Sequence, residues 1–209
     1  MKKKRVGVRL FKAFVLCILL LGIVGVAAGG VFVKHVIDNT PEVTAKDILP
    51  QGYTTSIVDQ NGTVLEQLKD SDSNRVYKKY DEISKYMGDA FVAIEDERFY
   101  KHNGIDLQGI IRAGVVGVTH GFHFTEGAST LTQQLIKNNV FPNFVNETNS
   151  ERFERKIQEQ YLALKIEKQM SKKEILEAYM NTINLGQGCL GVQTCLLYTS
   201  PSPRDKRQS

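Results

Sequence analysis

Cysteine is scarce in this chain, and its placement excludes a disulfide framework. Of three cysteines, Cys17 lies in an apolar run, while Cys189 and Cys195 sit close together near the end. A domain built on this sequence therefore holds itself together by packing. No block of lysine and arginine is interleaved with aromatics, which argues against nucleic acid as a partner. The formal charge of +4 is mild. No internal repeat is visible, and no residue spacing demands a metal. What the first segment lacks is charge. Between Ala13 and Val33, AFVLCILLLGIVGVAAGGVFV carries none, and Lys2, Lys3, Lys4, Arg5, Arg9 and Lys12 precede it. That length suits one membrane-crossing helix, and it exceeds the apolar core of a cleaved signal peptide. Basic residues stay on the cytoplasmic side, so the remainder is expected outside.

The remaining chain divides by composition. Residues 1–12 read as a cytoplasmic basic segment, 13–33 as the anchor, 34–52 as a polar linker with two prolines, and 53–194 as one folded domain. In TSIVDQNGTVLEQL, two short β-like runs flank Asn61–Gly62, a pair suited to a type I′ hairpin. From Asp81 onward the pattern is helical. Tyr86/Met87, Ala90/Phe91 and Ile94 form an apolar stripe with Glu95 beside it. A Gly-rich patch follows. Thr130 to Gln133 reads as a capping box opening a helix to about Asn138. Ser150 or Asn149 caps a long helix with apolar Phe153, Ile157, Tyr161 and Leu164. Ser171 to Glu174 is a second capping box. Past one hairpin, the fold class is mainly α.

Three stretches can carry chemistry. The first, EDERFYKHNGID at 95–106, opens with three carboxylates in a row. Such a run is commonly a solvated helix end. Helical phase, however, sets Glu95 against Phe91 and Phe99, where apolar neighbours would raise its pKa as a general base requires. Asp96 and Glu97 point elsewhere. The second stretch is EGASTLTQQLIKNN. A helix start with the Ser129 and Thr130 hydroxyls is suited to an anion, and Gln133 with Lys137 and Gln134 with Asn138 share faces. A polar-capped surface helix accounts for it equally well. In the third, ERKIQEQ, Arg155 and Glu159 stand one turn apart, the spacing of an ordinary helix salt bridge. Together they supply two separated glutamates, a lysine, an arginine and a hydroxyl-lined helix start. One carboxylate can deprotonate an attacking hydroxyl while cations neutralise a departing diphosphate.

EDERFYKHNGID resembles the first signature of the family 51 peptidoglycan glycosyltransferases. GASTLTQQLIKN, RKIQEQYLALKIE and KKEILEAYMNTINLGQG resemble the next three, in order, and the likeness covers about Thr55 to Gln193. The resemblance implies a mainly α, lysozyme-like domain with a head and a membrane-proximal jaw. It implies polymerisation of lipid II into β-1,4-linked glycan strands with inversion at the reacting carbon. By position, Glu95 matches the base that deprotonates the acceptor's 4-hydroxyl, and Glu159 the second catalytic glutamate, near the donor's diphosphate. Lys137 and Arg155 match the cations on the diphosphate. Asp96, Phe99, His102, Ser129, Thr130, Gln133, Gln134, Asn138 and Lys156 match site-forming, substrate-binding positions. A divalent cation, magnesium or manganese, often assists in the family, although nothing in the sequence requires a cofactor. The implied partners are lipid II, the growing strand, the bacterial cytoplasmic membrane and a cell-wall synthesis complex. Two other readings stand beside this one: a lysozyme-like lytic enzyme, which needs no diphosphate cations, and a non-catalytic, membrane-anchored wall-binding module.

A fifth signature begins at GCLGVQ and then breaks off into TCLLYTSPSPRDKRQS. Cys195 to Asp205 can be back-translated to a string resembling a sequencing-library adapter, so 195–209 is expected to be non-native. Its Ser, Pro, Arg and Lys content also suits a disordered tail. On the adapter reading the gene is cut short, a transpeptidase domain belongs beyond the break in one branch of the family, and apolar surface on the fourth-signature helix should lie uncovered.

Overall fold

The computed structural model describes residues 2–52, 55–68, 75–120, 127–141, 144–186 and 188–199. Most of the expected non-native tail lies outside them. Two compact units result, Met1–Pro41 and Glu42–Ser209. The first is α1 (Lys2–Asp38), with one stretch, Phe11–Asp38, long and apolar enough to cross a membrane at a mean hydropathy of 2.7. The helix runs five residues past the expected anchor, through Lys34 to Asp38, where Lys34 bonds Asp38 one turn on.

In the second unit, β1 (Thr55–Val58) and β2 (Val64–Leu68) pair antiparallel, Thr55 opposite Leu68, with an irregularity between Ile57 and Val58. The connection is not the two-residue turn expected. Asp59 Oδ1 accepts from the amides of Asn61 and Thr63, both at 2.8 Å, and closes a longer loop in which Gly62 takes φ +82°. An aspartate at the loop start offers the backbone a local acceptor that outcompetes the tight turn.

Helices α2 (Lys85–Glu95), α3 (Leu107–Thr119), α4 (Leu131–Val140), α5 (Asn149–Ile166), α6 (Lys172–Thr182) and α7 (Val192–Thr199) build the rest. The α4 helix packs on both α5 and α6. Leu131, Leu135 and Ile136 meet Leu162, Ile166, Ile175 and Leu176 in one core, with Phe99 beneath. Val43 and Ile48, inside the expected linker, also belong to this core. Two apolar residues five apart in a polar stretch leave no periodic signal.

Capping fixes where the helices begin. Ser171 and Glu174 form the expected reciprocal box on α6. On α5 the box is made by Thr148 and Glu151, one or two residues before the positions expected. On α4 only half is made: Thr130 accepts from the Gln133 amide, while the Gln133 side chain turns to the Gly104 carbonyl.

Several helix faces differ from the periodic reading. On α2 the buried residues are Gly88 and Val92, and Tyr86 and Ile94 are exposed. The α3 helix is absent from the periodic reading because its inner face is Gly109, Ala113 and Gly117. Small residues weaken a helical signal, yet Gly109 is needed here. A Cβ there would lie 2.5 Å from Asp106 Oδ2, where Arg98 binds that carboxylate. The apolar side of α6 is covered, with Ile175, Leu176 and Ala178 fully buried, contrary to the expectation of an open face.

Candidate active site

Glu95 is the last residue of α2. At Asp96 the backbone leaves the helix (φ −159°, ψ 70°), so Phe99 never becomes its neighbour one turn on. Phe99 is fully buried, whereas Glu95 is exposed. The apolar pocket expected around Glu95 is therefore not formed, because a helix break cancels the i,i+4 relation. What holds Glu95 is polar. Gln134 Nε2 on α4 donates to its Oε2 at 2.9 Å, and the Tyr179 hydroxyl donates to Gln134 Oε1 at 3.2 Å. Tyr179 fixes which way the amide faces, and hence that nitrogen meets the carboxylate. Burial, and then the nearby charge of Glu95, push the Tyr179 phenol above its ordinary range. Sequence reasoning missed Tyr179, which reads as one more apolar residue on α6.

Asp96 faces inward and has become a lock. Its Oδ2 accepts from the Leu131 amide at 3.0 Å, and His102 Nε2 lies 2.9 Å from Oδ1. His102 Nδ1 accepts from the Gly104 amide at 3.2 Å, so the proton on this ring belongs to Nε2 and points at Asp96. The Gly104 carbonyl in turn accepts from Thr130 Oγ1 and Gln133 Nε2. Gly104 has φ +91°, and a Cβ would come 2.8 Å from the Ala163 backbone. Four of the expected site positions, Asp96, Phe99, Thr130 and Gln133, are buried, with His102 bonded beside them, while Asp96 and Thr130 also line a polar cleft. At the start of α4 the Leu131 amide is bonded to Asp96, a carboxylate of the chain itself. Glu97 is solvated, as expected, with its side chain 77% exposed.

The other half of the site sits on α5, which buries part of its charged face. Arg155 and Glu159 are buried, whereas Phe153 and Leu164, read as stripe residues, are exposed. Glu159 takes Arg155 Nη1 on one oxygen and Lys156 Nζ, at 2.7 Å, on the other. Lys156 also donates to Ser129 Oγ at 3.0 Å, joining α5 to the loop before α4. Arg155 Nε is gripped by both oxygens of Glu147, at 2.7 and 2.8 Å. Burial acts to lower the Arg155 pKa, but the Glu147 bonds and the Glu159 charge outweigh it and hold the guanidinium above its ordinary value. Glu147 was not foreseen: it lies eight residues from Arg155, outside every motif.

Lys137 connects the two halves. Burial, followed by the charge of Lys156, lowers its pKa, while Glu159 and Glu95 both oppose the drop. Its ammonium lies 4.8 Å from the centre of the Phe144 ring. Asn138 is half-buried beside it, one turn beyond Gln134. Two openings reach the site. A polar cleft of about 160 Å³ is lined by Glu95, Arg112, Ser129 and Thr130, among others. A wider cavity of about 490 Å³ is lined by Phe144, Glu147, Glu151, Arg155 and Gln158. Among the described residues no group of three His, Cys, Asp or Glu stands ready to hold a metal. The Glu147 and Glu159 carboxylates are bonded to Arg155 and Lys156.

The arrangement can do two things at once. An exposed, oriented carboxylate can take a proton, and nearby cations can receive an anionic leaving group.

Comparison with known proteins agrees with that chemistry. A family model described as Transglycosylase matches residues 61–198. Over 187 residues the chain is 41% identical to penicillin-binding protein 1A of Clostridium perfringens, covering 88% of this chain and 26% of that protein. Over 190 residues it is 35% identical to penicillin-binding protein 1A/1B of Bacillus subtilis, covering 91% and 20% respectively. The chain therefore spans about a quarter or less of the length of these relatives.

Proposed function

Because the chain belongs to the transglycosylase family, we propose that it is a peptidoglycan glycosyltransferase that polymerises lipid II in bacterial cell-wall synthesis. One observation carries the reading: Gln134 on α4 orients exposed Glu95, and Lys137, one helical turn away, stands among Arg155, Lys156 and Glu159. Glu95 takes the proton from the acceptor's sugar 4-hydroxyl. The freed oxygen attacks the anomeric carbon of the donor strand from the face opposite its diphosphate, which inverts the configuration. The bond from that carbon to the diphosphate oxygen breaks, and undecaprenyl diphosphate departs. Lys137, Arg155 and Lys156 neutralise the charge that develops on it. Glu159 has both oxygens engaged, so its part is to hold two cations in place rather than to move a proton. No metal enters this scheme.

The basic residues before α1 argue for a cytoplasmic N-terminus and an external catalytic unit. The penicillin-binding relatives support an N-terminal portion of a bifunctional protein; in the same proposal it works with lipid II and the growing strand within a wall-synthesis complex. The chain, in detergent, is incubated with lipid II and, separately, with finished peptidoglycan. Glycan polymer from the first and no muropeptide from the second is the expected outcome. The reverse pattern would replace polymerisation with lysis.

A further inference from the structure

We propose that Glu147 is a built-in pseudo-ligand of the diphosphate floor, its carboxylate holding the place on Arg155 that substrate must take. The inference rests on the polymerase reading above. Both oxygens of Glu147 converge on one donor, the Nε–H of Arg155, at 2.7 and 2.8 Å, a position that an oxygen of a diphosphate could take instead. With Glu159 on Nη1, the Arg155 charge is met by two carboxylates. Lys137, Arg155 and Lys156 bring three positive charges, and Glu147 and Glu159 cancel two of them. A floor so nearly neutral attracts a multiply charged anion weakly. Removing Glu147 from Arg155 restores the attraction.

The surrounding structure permits that exchange. Phe144, three residues earlier, lies over Lys137 at 4.8 Å and over Arg155 at 5.7 Å, so one short strap covers both cations. The strap borders the cavity of about 490 Å³, which gives the Glu147 side chain room to turn away. The α5 cap is closed by Thr148 and Glu151 and does not depend on Glu147. Between turnovers Glu147 satisfies the buried Nε–H of Arg155, which Glu159 on Nη1 does not reach. When diphosphate arrives, one anion replaces another on the Nε–H of Arg155.

The test titrates the full chain in detergent micelles with inorganic pyrophosphate by calorimetry. It compares the parent with Glu147→Gln, Glu147→Ala and Arg155→Ala, with melting curves to check folding. Both Glu147 variants should bind about tenfold more tightly than the parent, the scale of one charged hydrogen-bond competitor. Arg155→Ala should bind more weakly. A misfolded variant does not gain affinity, so tighter binding separates displacement from a structural role. If the parent binds and Arg155→Ala does not, but both Glu147 variants bind equally or less tightly, Glu147 merely positions Arg155. The pseudo-ligand idea then fails while the polymerase reading stands. If no form binds pyrophosphate, the pseudo-ligand idea falls, and the polymerase reading is decided separately by whether the chain polymerises lipid II.

Discussion

Glu95 and Glu159 are the same side chain in opposite surroundings. Glu95 ends a helix, faces solvent and accepts one hydrogen bond, from Gln134. Glu159 is fully buried and spends both oxygens on Arg155 and Lys156. Both are tied to the region of α4, Glu95 through Gln134 and Glu159 through Lys156 and Ser129. On the proposed reading, two carboxylates of one chemistry do separate work. A proton acceptor needs an open lone pair and an approach from solvent or substrate. An organiser of cations needs the reverse, with every oxygen engaged and water excluded, because that is where ion pairs gain most from geometry.

The contrast can be broken by exchanging charge for shape at each position. Glu95→Gln keeps the volume and removes the proposed base. Polymerisation of lipid II should fall by about a hundredfold or more, the scale of lost general base catalysis. The melting curve should hardly move, since an exposed side chain contributes within about 0.5 kcal/mol. Glu97→Gln, at a solvated neighbour, should leave the rate within about twofold, in line with substitutions remote from special features. Parental activity in the Glu95 variant would remove it from the mechanism.

Glu159→Gln should show the opposite balance. It removes the buried charge shared by Arg155 and Lys156, leaving Arg155 to Glu147 and Lys156 to Ser129, and a loss of roughly 3 kcal/mol in unfolding free energy is expected, as when one partner of a buried pair is removed. Urea denaturation measures it. A stability change no larger than that of Glu95→Gln would erase the distinction drawn between the two glutamates.

The smallest effect sits between them, on Lys137. Its pKa is lowered, by burial first and by Lys156 second. A lysine loses its charge as pH rises through its pKa, so this one neutralises at lower pH than an exposed lysine. Arg155, Lys156, Glu159 and Glu95 set the field around it. Pyrophosphate affinity should therefore decline across the alkaline range, by a fewfold when one of three cations is lost. Lys137→Arg, charged throughout, should flatten the decline. An unchanged pH slope in that variant would assign the effect elsewhere.

The choice of Glu95 over its neighbours illustrates how much could be read from the chain. Helical phase and the family signature both selected it, but the physical reason offered, an apolar pocket, does not exist in the fold. The phase argument assumed that α2 continued through Phe99, and a single extended residue at Asp96 ended it. The long helix α5 shows the same limit from the other side. Its exposed Phe153 and buried Glu159 reverse the rule that apolar faces turn inward, because the buried charges are paired across the turn and to Lys156.

The sequence by itself determined what depends on neighbours along the chain. It fixed the apolar helix of α1, the box that opens α6, the mainly helical class and the order of the motifs, since spacing and capping act within one or two turns. Only the tertiary structure decided which polar residues meet. Asp96 on the amide of Leu131, Tyr179 behind Gln134, Val43 in the core and Glu147 on Arg155 are each joined by the folded backbone. Whether a charge becomes a base, a lock or a counter-ion depends on its partners and its access to water. Both are properties of the packed molecule.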